Sequence, residues 1–263
     1  MGTTSKALKL LDLFSGKRPE IGLSEFARLA GRDKATTHRH LAELCELGFV
    51  EQARRSKLYR IGPAVLRLAN IREQTFPMKS AAARHLSDLV EAVQETAHIS
   101  TLQGLSLAPV QSQLSLHHAT RVYIDDSEVL PLHATASGFV IMAFGPSELL
   151  GTILDNPLPQ KTPETKIDPQ AIRQKVEYAK THGFAYSVGE FEKGVSSISA
   201  PLFGENDECR AAISVVYPSG RMSDELDLKI KQSLIIASRS ISSSWGGAVP
   251  STLLAIWNAH INT

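Results

Sequence analysis

Residues 23–61 carry the pattern that leaves this chain the fewest options. A short amphipathic helix is expected from 23–24 onward, with Ser24 as its N-cap and Phe26, Ala27, Leu29 and Ala30 on its apolar face. Gly31 breaks it. A second helix runs from 33–34 to 47 on a stripe of Leu41, Leu44 and Leu47, and Gly48 stops it. Two extended runs, 49–52 and 58–61, then flank the polar tip 53–57, and Gly62-Pro63 closes the pair. Upstream, residues 5–14 read as a helix through Ala7, Leu8, Leu10, Leu11 and Phe14, ended by Ser15-Gly16 and Pro19. Downstream, a helix over 64–75 reaches Phe76-Pro77, taken as a domain boundary. Helix, glycine turn, helix and charged hairpin in that order fit a winged helix-turn-helix occupying residues 1–77.

Charge is distributed to match. Residues 1–77 hold 14 Lys or Arg against 8 Asp or Glu, whereas the other 186 hold 14 against 19. A basic front on an acidic rear suits a polyanion-binding module joined to something else. On the second helix, Lys34, Thr36, Thr37, Arg39 and His40 occupy the first turns, where a recognition helix meets the major groove. Arg39 can take two acceptors on a guanine edge, and threonine hydroxyls reach bases or phosphates. Arg54, Arg55 and Lys57 at the hairpin tip, with Arg28 and Arg32, are candidates for phosphate contact. Acidic Glu43 and Glu46 stay at the far end of the helix. His38, one turn before Leu41, is expected to pack rather than read bases.

The remainder, 78–263, reads as mixed α and β. Helices are expected near 80–93, 134–144, 147–154, 169–182 and 224–244, and strands at 97–102, 121–124, 184–188, 196–202 and 211–216. Residues 156–169, rich in Pro, Lys and Thr, read as an exposed loop. A mostly antiparallel sheet covered by helices on one side fits this order. Hydrophobic residues make up 43% of 263, enough for two cores of ordinary size. Cys45 and Cys209 are isolated, so neither a disulfide framework nor a zinc knuckle is spelled out, and Cys45 reads as a small buried hydrophobe. With no secretory leader pattern and no apolar run near the ~18 residues that span a bilayer, a cytoplasmic protein without membrane contact is expected.

Several blocks resemble the IclR family of bacterial transcription regulators. LSEFARLAGRDKATTHRHLAELCELGFVEQ is similar to its recognition module, including Thr36-x-x-Arg39, and LYRIGPAVLRLA to the strand and linker helix that follow. LPLHATASGFVIMAF (130–144) and GVSSISAPLF (194–203) are similar to two diagnostic blocks of its effector-binding domain. The resemblance covers about 6–244 in the right order. It implies an α+β chain made of a winged helix-turn-helix, a linker helix and a GAF-like α/β effector-binding domain with a mainly antiparallel sheet. It further implies a homodimer or homotetramer that binds a double-stranded DNA operator and controls a catabolic operon in response to a small organic acid or related metabolite. Carried over by position, the effector pocket would include Ala119, Val122, Ala136, Ser137, Ser187, Ser197 and Ser214, with helix-start amides at 136–137 able to hold a carboxylate. The sequence departs from the family pattern in that pocket. Ser187 stands where Asp is frequent, Ser197 where Cys is frequent, Val216 where a second Ser is common, and of two paired acids only Glu190 remains. These departures point away from the small keto acid favoured by some relatives, while hydroxyls still offer neutral groups to a polar ligand.

Two rival readings remain at this level. An enzyme would need a nucleophile, and Ser137 four residues from His133 invites the idea, but no G-x-S-x-G, H-E-x-x-H, Walker or G-x-G-x-x-G motif supports it. An interaction module without DNA could present Leu253, Leu254, Ile256 and Trp257, although that tail could equally dock on its own domain. His117-His118 lacks a third metal ligand placed by the sequence, so neither metal nor cofactor is expected.

Overall fold

The computed structural model describes residues 2–261, which divide into two compact units between Pro77 and Met78. The first contains α1 (Thr3–Leu8), β1 (Glu20–Ile21), α2 (Leu23–Ala30), α3 (Lys34–Glu46), β2 (Val50–Gln52), β3 (Tyr59–Ile61) and α4 (Pro63–Thr75). The strands form one antiparallel sheet in the order β1-β3-β2, pairing Glu20 with Arg60 and Val50 with Ile61. Leu10, Ile21, Phe26, Leu41, Leu44, Val50 and Tyr59 make the core. Phe26 meets Phe14 and Tyr59 edge-on at 5.3 and 6.0 Å, the geometry ring quadrupoles favour. The helix expected over 5–14 breaks after Leu8 into a 3-10 turn at Leu11–Leu13. Ser24 is not the N-cap, because α2 begins at Leu23 and is capped by Gly22, two residues earlier. Between α2 and α3, Gly31 takes φ +61, a left-handed turn that a side chain would strain.

The second unit contains α5 (Met78–Val93), β4 (Thr96–Gln103), β5 (Ser106–Gln113), β6 (Leu130–Pro131), α6 (Ala136–Phe144), α7 (Leu149–Leu154), α8 (Pro169–His182), β7 (Ala185–Val188), β8 (Val195–Phe203), β9 (Cys209–Pro218), α9 (Asp224–Ser244) and α10 (Ser251–Ile261). Its antiparallel sheet runs β6-β5-β4-β9-β8-β7. Helices cover both faces, not one. Ile99, Ile198, Ala200, Ile213 and Val215 pack with α5 and α9, while α6 and α8 lie over the opposite face. Period-two alternation explains the division, since Thr96, His98, Ser197, Ser199 and Ser214 fall between those apolar positions and turn to the α6 side.

Two expectations about strands change. Residues 121–124 are not a strand but part of a long connection between β5 and β6, and β5 itself is unforeseen. Pro109 hides β5 in the sequence. It is tolerated because the β4–β5 register shifts beside it: Ser100 pairs with Pro109, but Ile99 pairs with Gln111. The 156–169 connection is pinned, with buried Thr165 donating through Oγ1 to the Glu190 carbonyl at 2.5 Å. The tail docks on its own unit, where buried Trp257 stacks on Phe184 and donates to the Gly183 carbonyl at 3.2 Å. Of that tail, Leu253 is buried too.

Candidate nucleic-acid interface and ligand pocket

Helix α3 starts firmly. Asp33 caps it by accepting from the Thr36 amide at 2.8 Å, and these bonds to Thr36 hold the Asp33 carboxyl below its ordinary pKa. Helical spacing then decides what faces out. Thr37, His40, Leu41 and Leu44, at i, i+3, i+4 and i+7, all point into the core. Lys34, Ala35, His38, Arg39 and Ala42 are exposed, with Thr36 half-buried beside them. Two candidate DNA contacts are therefore corrected. Thr37 is buried and donates through Oγ1 to the Asp33 carbonyl at 2.8 Å, and His40 is only 1% exposed. His38 takes the outward position instead. Leu47, expected in the stripe, is 66% exposed because α3 ends at Glu46. Cys45 is half-buried at the edge of the core.

The hairpin tip presents Arg54, Arg55 and Lys57, all exposed. Lys57, left-handed at φ 60, closes the tip by donating its amide to the Ala53 carbonyl at 2.9 Å. Arg28 is exposed, with its guanidinium 3.7 Å from the Glu25 carboxylate. Arg32 is occupied: its guanidinium donates to the Lys6 carbonyl at 2.7 Å and ties the turn to the end of α1.

The second unit encloses a cavity of about 70 Å³ between the sheet, the start of α6 and the connection that closes over it. Helix α6 begins at Thr135, whose Oγ1 accepts from the Gly138 amide at 3.1 Å and donates to the Pro131 carbonyl at 2.9 Å. Gly138 is required there, since a Cβ would lie 2.0 Å from the Leu132 carbonyl oxygen. Of the seven pocket residues expected, Val122, Ser137, Ser187 and Ser197 line the cavity. Ala119 does not, because it is exposed on the outer side of the connection, and Ala136 is buried within α6 behind the wall. Ser214 lies beneath the wall. Its Oγ is 2.6 Å from both Ser137 Oγ and Ser199 Oγ, so it holds the lining serine rather than a ligand. Glu190 turns away to pair with Lys175 of α8, and burial pushes its pKa up against that lysine's pull.

Comparison with known proteins settles what this pairing of units is. A model of the IclR helix-turn-helix domain matches residues 3–54, and a model of the C-terminal part of the bacterial transcriptional regulator IclR matches residues 73–243. The chain belongs to the IclR family. It is accordingly a DNA-binding transcriptional regulator and not an enzyme. A crystal structure assigned as an IclR transcriptional regulator from Silicibacter sp. TM1040 superposes with a TM-score of 0.89 at 42% identity, covering 95% of this chain and 98% of that one. The glycerol operon regulatory protein of Streptomyces griseus is 30% identical over 82% of this chain and 85% of its own length. An IclR homolog of Microbacterium hydrocarbonoxydans, crystallised with 4-hydroxybenzoate, shares the fold at 23% identity with a TM-score of 0.74, over 93% of this chain and 99% of that one.

Within this IclR-family chain the nucleophile idea has no geometry behind it. Ser137 Oγ is bonded to Ser214 Oγ, while His133 Nε2 lies 3.0 Å from the Pro159 carbonyl. His117 pairs with Glu91 at 3.2 Å, and no group of metal-ligating side chains occurs among the described residues. No helix there is long and apolar enough to cross a membrane. The cavity lining that sequence reasoning missed includes His98, Thr135, Ile124, Leu130 and Phe191, while Val216 lines it at the position where relatives often carry a Ser. His98 is 3% exposed, neither ring nitrogen has a hydrogen-bond partner among the described residues, and burial pushes its pKa down to about 4. A signal for it existed: Thr96, His98 and Ser100 alternate with Ala97 and Ile99, a polar face on a strand buried on both sides.

Proposed function

We propose that this regulator controls a catabolic operon in the cytoplasm by linking occupancy of the C-terminal cavity to operator binding by paired winged helices, in a homodimer or homotetramer. What supports the reading most is a largely apolar cavity with a few polar groups, closed over by its own chain, in the same molecule as an outward-facing basic helix and wing. Lys34, Thr36, His38 and Arg39 face the major groove, and Arg28, Arg54, Arg55 and Lys57 meet phosphates. Family likeness suggests a small organic acid or related metabolite as effector. Ligand binding changes operator affinity to the extent that it favours one arrangement of the two DNA-binding units over another. The test is a gel shift with the DNA upstream of the protein's own gene, at two salt concentrations and with a panel of small metabolites. A specific shift that weakens with salt and responds to one metabolite supports the proposal. A shift unaffected by any compound that binds the protein removes the linkage.

A further inference from the structure

The cavity as it stands is too small for a metabolite, granted that it is the effector site. Its volume of about 70 Å³ is less than half the ~150 Å³ of an engineered apolar cavity that takes up benzene. It is also shut: Val122, Ser137, Ser187 and Val216 line it, and none is more than 9% exposed. An occupant larger than a few waters therefore enters only when part of the wall moves. Most of the wall is fixed. Strands β4, β8 and β9 are paired on both sides within the sheet, and α6 is capped at Thr135 and buried over its first turns. The loop carrying Phe191 and Glu192 is pinned by Thr162 and Thr165, which donate to the Gly189 and Glu190 carbonyls at 2.7 and 2.5 Å. The connection 114–129 has neither helix nor strand, yet it supplies Val122, Tyr123, Ile124, Asp125 and Glu128 to the wall. Of these only Val122 is buried, and Tyr123 is 76% exposed, so little apolar surface holds this cover down.

Both ends of the connection are fixed. Ser115 is buried, donating through Oγ to the Gln94 carbonyl at 2.7 Å and through its amide to Thr96 Oγ1 at 3.2 Å. Leu130 enters β6 opposite Leu107. Between them, Arg221 Nη2 donates to the Thr120 carbonyl at 2.6 Å, and an exposed contact joins His117 to Glu91 at 3.2 Å. Buried Glu95 holds the other terminal nitrogen of Arg221, so the guanidinium stays with the body of the unit when Thr120 leaves it. Beyond Thr120 the tip folds on itself, with Asp125 accepting from the Ser127 amide at 2.9 Å and its carbonyl from the Glu128 amide at 3.0 Å. We propose that residues 116–129 are a lid on the cavity, hinged at Ser115 and Leu130, latched by Arg221 through the Thr120 carbonyl, and opened to admit the effector.

Thiol labelling of the full chain reads the opening with neither ligand nor DNA present. Val216→Cys, a near-isosteric change, places a thiol on the cavity face of β9, while native Cys209 lies on the opposite face of that strand, in the core beneath α5 and α9. Unfolding of the unit exposes both, whereas lid opening exposes only position 216. With N-ethylmaleimide and peptide mass spectrometry, the introduced thiol should react far faster than Cys209. Its rate should be unchanged by low urea, while Cys209 follows the steep urea dependence of unfolding. Arg221→Lys, added to Val216→Cys, keeps a cation for Glu95 but has no second guanidinium nitrogen for Thr120. It should speed the introduced thiol by about 10- to 100-fold, with Cys209 still following unfolding. Reaction of the two thiols together, with one urea dependence, overturns the lid. So does an introduced thiol as reactive as free cysteine, because the wall is then already open. A rate that Arg221→Lys leaves unchanged overturns the latch. A lid that opens as described while no metabolite alters operator affinity refutes the linkage proposed above and not the lid.

Discussion

Arg221 and Glu95 provide the sharpest quantitative test of how the cavity is closed. Glu95 is 1% exposed, and Arg221 Nη1 lies 2.5 and 2.6 Å from its two oxygens. The second guanidinium nitrogen, Nη2, donates to the Thr120 carbonyl at 2.6 Å, fastening the connection that carries Val122 and Ile124 over the cavity. Arg221→Met keeps the aliphatic stem and removes the charge, stranding a carboxylate in the interior. Stranding a buried partner costs about 3–5 kcal/mol. Because Arg221 is about a quarter exposed and His118 stands 4.0 Å from Glu95, the loss belongs near the low end, about 3 kcal/mol. For a unit of this size that lowers Tm by roughly 6–12 °C. The assay is clean, since both tryptophans, Trp245 and Trp257, lie in the second unit and urea unfolding followed by their fluorescence reports that unit. The double variant Glu95→Gln/Arg221→Met should regain part of the loss, as no charge is then stranded, and the non-additivity measures the coupling. A loss in Arg221→Met below about 1 kcal/mol, the level of an exposed pair, would refute the claim that this pair holds the closure.

Other expectations follow from the same geometry. Arg39→Ala should weaken specific operator binding by about 1–3 kcal/mol in a gel shift, whereas Lys57→Ala should lower affinity evenly across sequences and reduce the salt slope by about one; unchanged affinity in Arg39→Ala removes it from the reading face. Ser197→Leu should abolish the effector response by filling the cavity while ligand-free protein still shifts DNA; a surviving response places the site elsewhere. His98 has a folded pKa of about 4 against an ordinary 6.5, so unfolding takes up a proton between those values. Stability of the second unit should therefore fall as pH drops through that window, by up to about 3 kcal/mol from this group, and the fall should be shallower in His98→Phe. Equal slopes in the two proteins, read by urea unfolding at pH 7 and pH 5, would refute that assignment.

Legibility in the sequence followed periodicity. Where one element supplies its own period and its own stops, the order of residues was sufficient: Gly31, Gly48 and Gly62-Pro63 mark the ends of α2, α3 and the wing, and the basic tip declares itself. Errors inside those elements came from counting turns instead of faces. His38 and His40 are two residues apart, about 200° around a helix, so one had to be buried if the other was not. Thr37 is its i−3 neighbour on the buried side. Extending the apolar stripe from Leu41 and Leu44 back by four residues puts Thr37 and His40 on the buried face and leaves His38 off it.

The cavity is a harder case, and the reason is register. Its wall draws on β4, β6, β7, β8, β9, α6 and the irregular connections that precede β6 and β8, and what leaves His98 unpaired is its neighbours across the sheet. His98 pairs with Ser214, and Ser214 with Ser199, while Ser197 pairs with both Val216 and Ser187. Those two adjacent rows decide which hydroxyls are spent on each other and which group is left over. In the first row Ser214 is satisfied by Ser137 and Ser199, so no hydroxyl there turns back to the imidazole beside it. A linear pattern can show that His98 lies on a buried strand and on its polar face. It cannot show that the serine paired with it has already found other partners. That exhaustion leaves a buried imidazole whose donor and acceptor meet no hydrogen-bond partner among the described residues, and only the pairing of strands in three dimensions reveals it.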